Sequence, residues 1–222
     1  MKEIHDIQEF VKSILEQQSE EPFIYRGHSS IGYDLKPSIG RNNYSKETEK
    51  EVFYEFKQKY HLYSKERMQN DMEVLFLAQH YGLPTRLLDW TYNPMVALYF
   101  ACRSNFDKDG AIYCLPLKGM ERADSNNNPK LPQSFDEIIE YKKNMYIAPD
   151  YMDIRYTNQK SLFLLCSQPH RKFTFTKPMF RICKNSKKQL LKELSMLGYD
   201  ELLLFPQLES LCNDIKRKYE LI

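Results

Sequence analysis

The chain has 222 residues, of which 42% are hydrophobic and 28% charged, a balance that is typical of a globular protein and excludes a disordered one. The formal net charge of +2 at pH 7 gives no general attraction to nucleic acid, so a nucleic-acid partner is not indicated. The length fits one domain with a substantial core.

The cysteines and the apolar runs bear on the compartment. The five cysteines are widely spaced, odd in number and without a C-x-x-C pair, which argues against a disulfide framework or a structural zinc site. Residues 1–18 lack the apolar core of a signal peptide, and no apolar run approaches the roughly 18 residues of a membrane-spanning helix. We therefore expect a reduced, cytoplasmic protein without a membrane partner.

Helices are predicted mainly in the first half of the chain, where apolar residues recur at helical spacing. Asp6, Ser45 and Asn93 are typical N-terminal caps, and Gly82 with Pro84 ends one of the helices. The predicted helices cover 6–18, 45–68, 71–81 and a segment that begins at Asn93.

Strands are predicted mainly in the second half. Short apolar runs predict strands at 22–27, 110–117, 161–166, 172–176, 179–184 and 201–206, and residues 85–91 are predicted as a strand or an extended turn. Polar segments predict surface loops at 28–45 and 118–133, and helical spacing returns at 186–198 and 208–219. Because the order lacks βαβ alternation, we predict an α+β fold: a single domain over 1–222, with a mainly antiparallel or mixed sheet and several helices.

One stretch, residues 75–104, places ionisable side chains between two apolar segments. Arg86 carries a planar charge suited to phosphate or carboxylate, His80 can move protons near neutral pH, and Asp89 can orient a base or stabilise positive charge. The alternative is structural, with Arg86 and Asp89 as a buried pair that holds the turn and His80 satisfied nearby. The spacing leaves both interpretations open.

The motifs around this stretch resemble the FRG domain family, named for its aromatic-Arg-Gly signature. The resemblance covers roughly residues 20–212. It is carried by "IYRGH" at 24–28, "LAQHYGLPTRLLDWTYNPMVALYFA" at 77–101, "GAIYCL" at 110–115, "NQKSLF" at 158–163 and "GYDELLLFPQLESL" at 198–211. Two positions depart from the family pattern: Ser161 stands where the family has glycine, and Gln207 is neutral where the family closes with an acidic residue.

Shorter stretches are similar to ADP-ribosyltransferases, which place an arginine on an early strand, Ser or Thr on a middle strand and a carboxylate late. This resemblance implies that Arg26 binds the pyrophosphate of NAD and that Thr91 contacts the ribose or Asp89. It implies Asp89 or Glu209 as the carboxylate that stabilises an oxocarbenium-like transition state. The aromatic candidates for stacking on nicotinamide are Tyr25, Trp90 and Tyr99.

The remaining candidates complete the predicted site, in which we expect Arg26, Arg86 and Asp89 to lie in one cluster. Gly27 fits a place where a ligand or a main chain approaches closely, and His28 is either a polar wall or a turn residue. In all, we predict His80, Asp89 and Glu209 as catalytic residues, and as ligand-binding residues Tyr25, Arg26, Gly27, His28, Arg86, Trp90, Thr91, Tyr99 and Gln159. No metal and no cofactor is required, and NAD enters as a substrate.

Three functions fit this set. The first is an enzyme that acts on NAD or a related nucleotide, in the phage-defence or toxin roles suspected for bacterial FRG proteins. The second is a ligand- or protein-binding module of a defence system, which uses the same pocket without turnover. The third is a metal-independent phosphodiester-cleaving enzyme with His80 as base and Arg26 and Arg86 as clamps. The sequence lacks a phosphate-binding glycine loop, a G-x-S-x-G elbow and an H-E-x-x-H motif, which argues against P-loop, esterase and metal-hydrolase classes.

Overall fold

A computed structural model of the chain describes residues 1–17, 22–42, 44–65, 67–117, 122–124, 132–149, 154–174, 176–219 and 221. Within these ranges the strands are β1 Lys2–Ile4, β2 Phe23–His28, β3 Leu87–Thr91, β4 Gly110–Pro116, β5 Arg122–Asp124, β6 Met145–Ala148, β7 Ser161–Leu165 and β8 Pro178–Ile182. The helices are α1 Ile7–Leu15, α2 Ser38–Arg41, α3 Lys46–Lys59, α4 Asp71–His80, α5 Pro94–Cys102, α6 Phe135–Glu140, α7 Ile154–Asn158, α8 Lys187–Met196, α9 Glu201–Leu204 and α10 Leu208–Lys218. Short 3-10 turns lie at Tyr60–Leu62 and Lys184–Ser186.

The strands form one mixed sheet in the order β1-β8-β4-β2-β3-β7-β6-β5. All neighbours are antiparallel except at the two edges, where β1 runs parallel to β8 and β5 runs parallel to β6. This arrangement confirms the predicted single-domain α+β fold with a mainly antiparallel sheet. None of the described helices combines the length and apolar character that a membrane crossing requires.

Strand alternation divides the buried side chains into three cores. On one face, the first core packs β2, β4 and β8 against α5 and α8, and the second core packs β3, β6 and β7 against α3, α4 and α6. The opposite face carries the third core, which runs without a break from β4 through β2 and β3 to β6. Side chains at alternate positions of β2 and β3 follow this division: Tyr25 and Leu87 face the helices, while Ile24 and Leu88 face the third core.

Helix α5 lies directly on the sheet because glycine leaves room for it. A Cβ atom on Gly27 would lie 1.9 Å from the carbonyl oxygen of Ala97 and 2.8 Å from the nitrogen of Ala101, both main-chain atoms of α5. A Cβ on Gly110 would lie 2.6 Å from the carbonyl oxygen of Ala101. The glycine of the "YRG" signature therefore sets the helix-to-sheet distance.

Several predicted elements differ from the observed ones. Residues 201–206, predicted as a strand, contain helix α9, because the Asp200 side chain accepts a hydrogen bond from the nitrogen of Leu203 at 2.8 Å and caps it. The described part of 172–176 has no strand, and the helix predicted over 45–68 ends at Lys59. The predicted loop at 28–45 contains α2, and most of the loop at 118–133 lies outside the described residues.

We predict that Gly27→Ala destabilises the fold strongly, by about 3 kcal/mol or more, because the added methyl overlaps main-chain atoms that cannot rotate away. Gly32→Ala is the matched control, since its Cβ would meet only the Ser30 hydroxyl at 3.6 Å. Urea unfolding of both variants measures the difference. Equal losses would contradict the role assigned to Gly27.

Candidate functional site

A cleft opens where β2 and β3 separate. The two strands share one registered pair, Tyr25 with Thr91, whereas β2 pairs with β4, and β3 with β7, along their lengths. The separation leaves a cavity of about 340 Å³ that is lined by both strands, by α2, α4, α5 and α7, and by Gln159 with Ser161. We call it the β2–β3 cleft. The "YRG" and "TRLLDWT" motifs therefore meet at one place, as the sequence predicts.

Arg26 links the two strands across this gap. Its side chain is only 13% exposed. Nε donates to Nε2 of His28 at 3.0 Å, and Nη1 donates to the main-chain carbonyl of Asp89 and lies 3.6 Å from the Asp89 carboxylate. Among the described residues, Nη2 has no assigned hydrogen-bond partner. Arg26 thus takes the place of a ladder donor to β3 and keeps one N–H₂ group for a ligand.

The Arg26 charge is held in an environment that opposes it. Burial lowers the pKa of Arg26, the Asp89 charge opposes that shift, and the nearby positive charge of Arg41 adds to it. A buried guanidinium next to a second one gains from an added anion, because the anion offsets both the desolvation and the repulsion.

Asp89 is the one acidic side chain among the described residues that line the cleft. Its side chain is 60% exposed, and Gln79 fixes it by donating from Nε2 to Oδ1 at 2.9 Å. Gln79 is itself oriented by the hydroxyl of Thr85, which also accepts from the nitrogen of Leu87 at 3.1 Å. The result is a solvent-accessible carboxylate that is held in one position at the edge of the cleft.

Two further arginines line the cleft and were not among the predicted residues. Arg41 lies on α2, in the segment predicted as loop, and Arg155 lies on α7 with its guanidinium 4.6 Å from the ring centroid of Phe205. Among the described residues that line the cleft, Arg26, Arg41 and Arg155 give three positive charges and Asp89 gives one carboxylate. This excess favours a ligand with more than one negative charge.

The predicted aromatic and hydroxyl residues form the rest of the wall. Tyr25 and Trp90 are largely buried and line the cleft, and burial raises the pKa of Tyr25 to about 12. Thr91 donates from Oγ1 to the carbonyl of Gln159 at 2.6 Å, and Gln159 donates from Nε2 to the carbonyl of Leu204 at 2.7 Å. These bonds hold the β3 end of the cleft to α9.

Arg86 does not reach the cleft, which corrects the predicted cluster of Arg26, Arg86 and Asp89. It is 1% exposed and forms a bidentate pair with Glu49 of α3, Nε and Nη2 each lying 2.7 Å from a carboxylate oxygen. Its Nη1 donates to the carbonyls of Ile138 and Ile139 at 3.3 and 3.4 Å. Arg86 is thus a structural residue, and its partner is Glu49 rather than Asp89.

Three other candidates also lie outside the cleft lining. The His80 ring packs against Tyr81 and Tyr156, with ring centroids 4.9 and 5.8 Å away, and His80 is not among the residues that line the cleft. Tyr99 belongs to the first core, and burial raises its pKa. Glu209 is exposed on the first turn of α10. Of the predicted catalytic residues, only Asp89 lies in the cleft.

Gly27 and His28 have structural roles at the back of the site. The main chain of α5 occupies the space above Gly27, so the close approach there is by the protein itself. His28 is 5% exposed and accepts the Arg26 hydrogen bond. It positions Arg26 and is neither a turn residue nor an exposed wall.

The fold and the site define an α+β domain that has an arginine-lined cleft between two strands of its sheet. Residues 21–110 match the FRG domain family, a segment that contains β2, β3, α5 and both sides of the cleft. This match over residues 21–110 supports the resemblance to the FRG domain family that the motifs predict. No curated protein and no solved structure matches the chain.

We predict that Glu49→Gln lowers the free energy of unfolding by about 3–5 kcal/mol, because it leaves the buried Arg86 charge unpaired. Asp89→Asn should change stability by no more than about 1 kcal/mol, since its carboxylate is largely exposed. Chemical denaturation of the two variants tests the pair. A large loss for Asp89→Asn with none for Glu49→Gln would reverse the assignment.

We predict a pH dependence of stability that originates at His28. Burial lowers its pKa to about 3, and the charges of Arg26 and Arg41 act in the same direction. The His28 side chain binds a proton near pH 6.5 in the unfolded chain but not in the folded protein. The free energy of unfolding is therefore highest above about pH 6.5, as far as His28 is concerned, and it decreases as the pH falls toward 3.

His28→Gln keeps an acceptor for Arg26 and removes the titration. Relative to wild type it should gain stability below pH 6.5, by up to about 1.4 kcal/mol per pH unit. His61→Gln, at an exposed position, is the control. Parallel pH profiles for wild type and His28→Gln would contradict this origin.

Proposed function

We propose that the β2–β3 cleft binds NAD or a related nucleotide and catalyses ADP-ribosyl transfer or glycohydrolysis, in an effector of bacterial phage defence or a toxin. The observation that carries the proposal is the pairing of a mostly buried Arg26, which has Nη2 without an assigned partner among the described residues, with an exposed Asp89 held beside it. Arg41 and Arg155 supply further positive charge for a diphosphate.

The size and lining of the cleft are consistent with one end of a dinucleotide. A volume of about 340 Å³ lies at the lower end of the range for small-molecule sites. Tyr25, Trp90 and Phe100 give apolar walls on which the nicotinamide ring can stack, while the arginines face the pyrophosphate. The remaining part of the nucleotide lies outside the cavity.

The chemistry requires little more than these groups. Cleavage of the bond between nicotinamide and ribose sends the electron pair to the nicotinamide nitrogen and leaves positive charge on the ribose ring. The Asp89 carboxylate stabilises that charge, and water or an acceptor group then adds to the anomeric carbon. Arg26 contacts phosphate in both the ground state and the transition state, so it acts mainly on binding.

A second candidate, a binding module without turnover, uses the same cleft. It is favoured by the contacts that already engage Asp89, namely Gln79 at 2.9 Å and Arg26 at 3.6 Å. The phosphodiester-cleaving alternative loses two of its three parts, because Arg86 is buried against Glu49 and His80 lies outside the cleft lining.

We predict that NAD and ADP-ribose change the fluorescence of Trp90, which is the only tryptophan of the chain and lines the cleft. Arg26→Ala should weaken binding at least tenfold, because it removes a charge-assisted contact with the phosphates. Arg217→Ala, an exposed arginine on α10, is the control and should bind as wild type does. Absence of any NAD-dependent signal and of calorimetric binding would exclude the nucleotide site.

Turnover is measured as nicotinamide released from NAD. We predict that Asp89→Asn lowers kcat by about 100-fold or more, since it acts on charge formed only in the transition state. Glu209→Gln removes an exposed carboxylate that lies outside the cleft lining, so this variant should keep the wild-type kcat. Binding of NAD without turnover by the protein, alone and with candidate acceptors, would support the binding module instead.

A further inference from the structure

The pairing of β1 with β8 brings three metal-ligand side chains together at one edge of the sheet. The parallel register places Glu3 opposite Arg181 and Ile4 opposite Ile182, so that His5 and Cys183 follow side by side. Glu3 and His5 are exposed and Cys183 is partly exposed, which makes all three accessible to an ion from solvent. Cys183 is separated from Glu3 and His5 by 178 residues or more, so no local sequence motif indicates the three together.

The three ligand atoms are already near the spacing of a coordination sphere. Nε2 of His5 lies 3.9 Å from Sγ of Cys183 and 3.8 Å from Oε2 of Glu3, and all three atoms lie within 4.8 Å of one another. Tetrahedral zinc with ordinary bond lengths places such ligands about 3.4–3.6 Å apart. The two distances from His5 need to shorten by only a few tenths of an ångström, and the distance between the Glu3 and Cys183 ligand atoms, which is at most 4.8 Å, needs to shorten by no more than about 1.4 Å.

We propose that Glu3, His5 and Cys183 form a three-ligand site for a borderline divalent transition ion, zinc in the first place. One thiolate, one imidazole and one carboxylate are ligands that zinc accepts together, and the two anionic ligands neutralise the ion. The fourth position is open to water. The proposal is independent of the function proposed for the cleft.

Hydrogen bonds with neighbouring residues orient two of the proposed ligands, Glu3 and His5. Arg181 donates from Nη1 to Oε1 of Glu3 at 2.8 Å, which leaves Oε2 facing His5, and Asp109 fixes Arg181 with contacts of 2.9 and 2.6 Å. The nitrogen of His5 donates to the Glu9 carboxylate at 3.0 Å. These bonds orient the carboxylate and the main chain of His5 without using the proposed ligand atoms.

The place of the site in the sheet assigns it a stabilising role. β1 is an edge strand, and β8 and β4 separate it from the cleft strand β2. A bound ion joins the N-terminal strand to the end of β8, so it stabilises the folded state in proportion to its occupancy. It acts on the edge of the sheet and not on the chemistry of the cleft.

The test uses the reduced full chain with Co²⁺ alone as the spectroscopic probe. A thiolate bound to Co²⁺ should give a charge-transfer absorption band in wild type, and Zn²⁺ added afterwards should remove it. Cys183→Ser should abolish the band. Cys212→Ser, which removes an exposed cysteine on α10, is the matched control and should retain it.

Stability and a second ligand variant complete the test. Zn²⁺ should raise the Tm of wild type and Cys212→Ser but not of Cys183→Ser, and His5→Gln should weaken Co²⁺ binding at least tenfold while leaving the metal-free Tm unchanged. His5→Gln also decides the matter if Cys183→Ser fails to fold. The proposal is overturned if wild type gives no band, if Cys183→Ser keeps it, or if His5→Gln binds as wild type does.

Discussion

The hydrogen bond from Arg26 to the main-chain carbonyl of Asp89 is the contact on which the site depends. It joins two central strands that otherwise meet at one registered pair, and it does so with a side chain in place of a main-chain donor. A side chain that completes a ladder needs space between the strands, and that space is the cleft. The same guanidinium therefore holds the sheet together and faces the cavity that the separation creates. Arg26 therefore has both a structural role and a place in the cleft, because the gap that it bridges is the cleft itself.

The second constraint is the close approach of α5 to the sheet. Gly27 and Gly110 admit its main chain against β2 and β4, so Val96, Ala97 and Phe100 reach the cleft wall from the helix. The tyrosine, arginine and glycine of the signature thus do three separate things on adjacent positions. Tyr25 packs in the first core and lines the cleft, Arg26 bridges the strands, and Gly27 seats the helix.

The sequence predicts what is carried by local patterns. The caps at Asp6, Asn93 and Ser45 are confirmed, as is the meeting of Arg26 with Asp89. What it does not predict depends on partners far along the chain. Nothing near Arg86 in the sequence indicates Glu49 as its partner, and in "QH" the glutamine contacts Asp89 while the histidine ring packs against Tyr81 and Tyr156.

The observed element type differs from the predicted one where an apolar run has two interpretations. "ELLLFP" has the composition of a strand, but the cap at Asp200 and the contacts of Gln159 with Leu204 hold it as a helical turn. The sequence does not predict Arg41 and Arg155 as cleft residues, because each lies on a short helix that the spacing of apolar residues does not indicate. The sequence also does not predict the edge pairing of β1 with β8, because a three-residue strand has too few positions to show alternation.

The single registered pair between β2 and β3 also affects the local opening of the sheet. Every other pair of neighbouring strands in the described sheet shares three or more registered positions, so this seam has the fewest main-chain bonds to break. The first and second cores lie on either side of it, while the third core runs unbroken behind it. The sheet therefore has two halves, one on each side of the β2–β3 gap. On the helical face each half has its own core, and on the opposite face the third core joins the two halves. Amide hydrogen exchange of β2 and β3 where they face each other should be faster than elsewhere in the central strands, and an anion that bridges the two halves of the sheet should slow it.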